Sequence, residues 1–184
     1  MALSCKKTGL LSLSRTTREE PDYKKLVNDR IDTLYKNKLK LSDVVKEISD
    51  LPLLPGALDF ITQLKLSYRI ILVSDAFYQM VLPFLKNLGN LELKCHHFKC
   101  NEDGFISGAE YSRLHGKIDV VNELRRNGGA SKILAVGDAF NDLEMIINAD
   151  KGFLFRPSAE TAKVANNIKI VHTYKEILDE VNRA

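Results

Sequence analysis

The 184-residue chain sets 27 lysines and arginines against 24 aspartates and glutamates, a net charge of +3, and 45% of its residues are apolar. That is enough for one domain with a buried core and at most a small elaboration. The charges are dispersed, with no long block of one sign and no interleaving of basic and aromatic residues, so neither nucleic acid nor a membrane is the expected partner.

The opening stretch MALSCKKTGLLSLSRTTR holds four Lys/Arg, no acid and several hydroxyls, a composition shared with organelle transit peptides. Residues 22–51 read as two helices, the second opened by Ser42 as N-cap with Asp43 in its first turn. PLLPG at 52–56 breaks the pattern, and helical spacing then continues to about Lys65. YRIILVSDA, 68–76, reads as a strand buried on both faces, ending in Ser74-Asp75 and followed by the helix FYQMVLPFLKNLG. LELKCHHFKCNEDGFISGAEY carries the Asp103-Gly104 signal of a hairpin. Within it, Cys95, His96, His97 and Cys100 fit no common zinc spacing. A helix begins at Lys117 and closes at Gly128-Gly129, KILAVGDAF is a strand, NDLEMIINA a helix, and GFLF a short strand. Two further helical pieces, SAETAKVAN and TYKEILDEVNRA, flank the edge strand IKIVH. This alternation predicts right-handed crossovers and a mostly parallel sheet, with ligands outside the carboxyl ends of the strands. No span is long and apolar enough for a bilayer, and three cysteines with no even framework point to a reducing, cytoplasmic setting.

Three polar features fall at that carboxyl edge: Ser74-Asp75, Lys117, and Gly137-Asp138 with Asn141-Asp142. A hydroxyl with backbone N–H groups at a strand-to-helix turn makes a phosphate cradle. Lysine adds a point charge for phosphoryl oxygens, and a strand-end carboxylate such as Asp138 suits Mg²⁺, while Gly137 allows a tight turn. Taken one at a time, Asp138 and Asp142 read equally as helix caps, Ser74 more often as one, and Lys117 as part of a solvated face. Their order on successive strand-helix units is what points to phosphoryl chemistry.

ILVSDAFYQM, the lysine of HGKIDVV and VGDAFND resemble the second, third and fourth motifs of the haloacid dehalogenase superfamily, in its phosphoserine phosphatase-like branch. KTGLLSLSRTTREEPDYKKLVNDRI and the late VHTY are similar to the phosphoserine phosphatase/homoserine phosphotransferase type within that branch. The resemblance implies an α/β fold, a three-layer Rossmann-like parallel sheet with a small helical cap, the core in residues 1–19 and 51–184 and the cap in 20–50. It implies that Ser74 and the Asp75 backbone bind a phosphoryl group, Lys117 neutralises it, Asp138 holds Mg²⁺ and Asn141 touches the phosphate. Asp142 becomes a supporting or helix-opening carboxylate, and Arg30 matches the residue that meets the substrate's carboxylate, with a plain surface arginine as its alternative. The expected partner is a small phosphorylated metabolite, with homodimer formation left open.

One departure stands out. The family's nucleophile is an aspartate in an acid-x-acid motif ending the first strand, whereas the first acids here are Glu19, Glu20 and Asp22. MALSC resembles the opening of that strand and KKTG the sequence beyond the following helix, so the motif and the intervening segment are missing between Cys5 and Lys6. Cys5 lacks a neighbouring acid to serve a leaving group. The expectation is a phosphatase or phosphotransferase by descent with little turnover, or a non-catalytic phosphate-binding protein. The lost strand would leave a gap in the sheet, filled by GLLSLS (9–14), closed by its neighbours, or left as a source of instability.

Overall fold

The computed structural model describes residues 13, 15–16, 19–128 and 130–182. In chain order its elements are α1 (Tyr23–Lys36), α2 (Leu41–Ser49), α3 (Ala57–Leu64), β1 (Ile71–Phe77), α4 (Tyr78–Leu85), β2 (Glu92–Cys100), β3 (Ile106–Glu110), α5 (Ile118–Arg126), β4 (Leu134–Gly137), a 3₁₀ turn (Phe140–Asp142), α6 (Leu143–Ile147), β5 (Lys151–Phe155), α7 (Ala159–Val164), β6 (Lys169–Val171) and α8 (Tyr174–Asn182). They divide into two units. The first takes the described residues up to Leu53 with Ala76–Asn90 and Cys95–Ser112; the second takes Leu54–Asp75, Leu91–Lys94 and the chain from Arg113 onward.

In the first unit, Leu26, Val27, Ile31 and Leu34 recur at helical spacing and give α1 its buried face, while Asp22 caps the helix by accepting from the Lys25 N–H. The second helix starts two residues earlier than its sequence suggests, with Lys40 rather than Ser42 at the cap. The Asp43 carboxylate reaches back to the Lys40 N–H at 2.8 Å, which satisfies the end of the helix and leaves Ser42 inside the first turn. Val27, Ile31, Val44, Ile48, Met80, Phe98 and Ile106 form the core of this unit, with Phe77 stacked on Phe98. The Gln79 amide bonds both the N–H and the carbonyl of Phe98, at 3.1 and 2.9 Å, and so serves that residue as a neighbouring strand would. The expected hairpin is present: β2 and β3 pair antiparallel around Asp103-Gly104, with Gly104 in the left-handed region at φ +84°. His96 is buried among Tyr23, Phe77 and Tyr111 and accepts the Ser112 N–H at 3.2 Å, a packing role.

The second unit is built on β4, β5 and β6, which pair parallel in that order with β6 at the edge. On one side Val121, Ile133, Ala135, Leu143, Ile146 and Leu154 pack together; a second cluster joins Phe60, Leu64, Phe153, Val171 and Ile177 from α3, the sheet and α8.

Three expectations change. The strand through Ser74 is half-buried rather than buried on both faces, only Phe77 being fully enclosed, because β1 stands at the end of the order β1-β2-β3 among the described strands. That strand also continues to Phe77, so Ser74 and Asp75 lie within it and α4 begins only at Tyr78. The described strands form two three-stranded sheets where one mostly parallel sheet was expected: β1-β2-β3, which holds the antiparallel β2-β3 hairpin, and the parallel β4-β5-β6. Of residues 9–14, only Leu13 is described; it is buried with α1 and α2 in the core of the first unit. Cys5 and the Cys5–Lys6 junction lie outside the described residues. Among the described residues no helix is long and apolar enough to cross a membrane.

Candidate functional site

Ser74, Asp75, Lys117, Asp138, Asn141 and Asp142 all belong to the second unit. The most enclosed part of the group is the seat of Asp142, which is only 2% exposed. One carboxylate oxygen accepts the N–H groups of Asp138 and Ala139 at 2.9 and 3.0 Å, and the other accepts from the Lys117 ammonium. The seat exists because residue 137 is glycine: a Cβ there would lie 2.4 Å from the Asp142 Cβ and 2.5 Å from its Cγ. Asp142 is thus the buried counter-charge of Lys117 and the clasp of the strand-end turn. Its sequence context suggested only a supporting or helix-opening carboxylate. Lys117, paired on one side, still has two further N–H donors for a ligand.

The loop that delivers Lys117 is held by Asp119. Its carboxylate accepts the Leu114 and His115 N–H groups at 2.9 and 3.0 Å. The His115 N–H, foremost among its partners, outweighs partial burial and holds the Asp119 carboxyl below its ordinary range.

Asp75 enters the site through its side chain as well as its backbone. Its carboxylate accepts from Arg113 at 2.8 Å on one oxygen and from the Asn141 amide on the other. Burial works against its ionisation, but the Arg113 bond, the Lys117 charge and the Asn141 amide together prevail and keep the carboxyl below the ordinary range. Arg113 escapes sequence reading. In SRLHGK it looks like a solvated loop residue, yet it is 8% exposed and also donates to the carbonyls of Ser74 and Lys94 at 2.6 and 2.9 Å.

Asp138 behaves differently. It keeps solvent-facing surface, but crowding at the strand end removes enough water, with the Asp142 charge adding to the effect, to hold its carboxyl above the ordinary range against the pull of Lys117. It forms no ion pair with any described residue. A hard oxygen donor that is disfavoured as a lone anion fits a divalent cation such as Mg²⁺, which takes one or two carboxylates and fills its other positions with water or phosphate. No group of three or more acid, histidine or cysteine side chains suited to a metal occurs among the described residues, so water or ligand oxygens would have to complete the shell.

A folded-state pKa above the ordinary value means that ionised Asp138 costs stability at neutral pH, and that the cost fades as the pH falls through that raised value. Asp138→Asn is therefore expected to raise the thermal midpoint of metal-free protein at pH 7 and to leave it unchanged at a pH below the ordinary carboxylate range. Equal midpoints at pH 7 would contradict the desolvation argument.

Arg30 lies in the first unit on α1, where its guanidinium donates to the Arg15 carbonyl. In the same unit Glu20 pairs with Lys25, Glu19 accepts from Thr16, and Asp22 caps α1, so each of the first acids in the chain has a local structural role.

Residues 8–150 match the haloacid dehalogenase-like hydrolase family. Phosphoserine phosphatase of Pseudomonas syringae pv. tomato is 33% identical over 178 residues, covering 97% of this chain and 74% of that protein. Phosphoserine phosphatase ThrH of Pseudomonas aeruginosa is 30% identical over 178 residues, 97% of this chain and 86% of its own. In fold, the chain is similar to a solved structure described as a phospho-aspartyl intermediate analogue of phosphoserine phosphatase, with a TM-score of 0.80 at 20% identity, covering 97% of this chain and 90% of the other. The order of the Ser74-Asp75, Lys117 and Gly137–Asp142 segments, the α/β fold and this similarity along nearly the whole chain agree, and the chain belongs to the haloacid dehalogenase-like hydrolase family, in its phosphoserine phosphatase-like branch.

Proposed function

We propose that the second unit binds the phosphoryl group of a small phosphorylated amino acid, such as phosphoserine, and that turnover of the ester is slow or absent. The observation that carries this is the Lys117–Asp142 pair clasped to the strand end beside Asp138 and Asn141. It fixes an ammonium, a carboxylate and an amide in one unit, the donor set a phosphate with a divalent cation requires. Lys117 and Ser74 would hold phosphoryl oxygens, Asn141 would contact the phosphate, and Asp138 would hold Mg²⁺, whose charge when bound would offset that of the phosphate.

Slow turnover follows from chemistry rather than from binding. An aspartyl-phosphate route needs a carboxylate at a strand end in line with the ester. The chain has no acid before Glu19, and Glu19, Glu20 and Asp22 are engaged around the start of α1. A phosphatase by descent that retains ligand binding accounts for both facts. Purified protein with Mg²⁺ should bind phosphoserine or inorganic phosphate in calorimetry, with affinity falling about tenfold or more in Ser74→Ala, the range for a hydrogen bond to a charged group. Hydrolysis of phosphoserine at a brisk rate that disappears in Asp138→Asn would refute the slow-turnover part, and no binding of either ligand would refute the whole.

A further inference from the structure

We propose that Arg113 and the Asp75 side chain are positioning residues that aim the Asn141 amide. Arg113 is removed from water and donates to the Lys94 carbonyl, the Ser74 carbonyl and Asp75 Oδ1. Burying a guanidinium is costly unless its donors find acceptors, and here Nη1 and Nη2 meet backbone and carboxylate oxygens that tie the Ser74-Asp75 segment of β1 to the end of the loop before α5. Its charge is therefore directed at protein groups, and its influence on a ligand passes through Asp75.

Asp75 transmits that influence because its two oxygens face different partners. With Oδ1 on Arg113, Oδ2 accepts from Asn141 Nδ2. An ionised carboxylate can only accept, so the Asn141 amide must turn its NH₂ group towards it. Asn141 is otherwise exposed and free to choose rotamers on the short 3₁₀ turn. Asp75 removes that freedom, leaving Asn141 Oδ1 and one N–H for a ligand. The Arg113–Asp75–Asn141 chain sets the orientation of a single amide by an arginine that does not itself reach the ligand.

The arrangement within the protein stands independently of what the site binds; only its consequence for phosphate rests on the function proposed above. Two measurements separate them. In ligand-free protein, ¹⁵N–¹H spectra would locate the Asn141 side-chain amide, identified by its loss in Asn141→Ala. That pair of resonances should move to the position of a solvent-exposed asparagine in Asp75→Asn and in Arg113→Lys. Asp75→Asn keeps size and shape and serves as the decisive variant where Arg113→Lys fails to fold. An amide pair that stays in place in Asp75→Asn overturns the inference.

The second measurement is a double-mutant cycle on inorganic phosphate affinity. Asp75→Asn and Asn141→Ala should each weaken binding about tenfold, and the double variant should be no weaker than Asn141→Ala alone. A role of Asp75 in general folding would instead give additive losses, which overturn the inference. Wild-type protein that binds no phosphate refutes the proposed function, and the resonance test alone then decides the Arg113–Asp75–Asn141 chain.

Discussion

Lys117→Met is expected to destabilise the protein by about 3–5 kcal/mol, the cost of leaving a buried charge without its partner. Asp142 is almost wholly enclosed and Lys117 is 13% exposed at its side chain, so solvent cannot replace the lost ammonium. The two backbone N–H groups of Asp138 and Ala139 would remain as partners of the carboxylate, but they carry only partial charge. Asp142 would then hold a proton or draw water into the strand end, and either would loosen the turn that presents Asp138 and Asn141. The control is Lys117→Met combined with Asp142→Asn, in which the amide oxygen still accepts from the backbone and no charge is stranded. That pair should recover a large part of the lost stability while phosphate binding stays absent. Urea unfolding of the three proteins decides the matter: a double variant no more stable than Lys117→Met would show that the charge pair is not what holds this end of the sheet.

Gly137→Ala is expected to be nearly as damaging, by about 3 kcal/mol, at the upper end of the usual cost of an added methyl in a packed site. A chain of this size loses roughly 2–4 °C of thermal midpoint per kcal/mol, so the fall should approach 10 °C. The strain is not one of backbone angle but of space. The new Cβ would lie 2.4–2.7 Å from the Cβ, Cγ and Oδ2 of Asp142, and those atoms cannot swing away without releasing Asp138, Ala139 and Lys117. The same methyl thus attacks stability and site together. A melting curve within a degree or two of wild type, with phosphate affinity intact, would mean that the Asp142 seat is softer than its geometry indicates.

These two variants bear on how much of the molecule is legible in its sequence. Helical spacing on α1, the Asp103-Gly104 hairpin and the alternation of strands with helices through the second half all follow from local rules that need no partner chain segment. The order of Ser74, Lys117 and Asp138–Asp142 is likewise visible, although β1 runs on to Phe77, past the Ser74-Asp75 pair where the sequence suggested it would end. Ser42 shows the limit of such reading: a sound cap by type gave way to Lys40, because the neighbouring Asp43 could reach back to the preceding N–H.

Residue type and spacing alone determined the α/β class, the set of phosphate-site candidates and the fact that no acid precedes Glu19, while the motifs around them carried the resemblance to the family. Tertiary structure alone decided the rest. It made Asp142 the buried partner of Lys117, enclosed Arg113 in what reads as a solvated loop, turned the Asp75 side chain towards Asn141, and divided the described strands between two sheets. The physical reason is common to all four. Each depends on groups distant in sequence, up to 66 residues apart for Asp75 and Asn141, and the energies of burial and charge pairing that select such contacts are properties of the folded environment rather than of any local pattern.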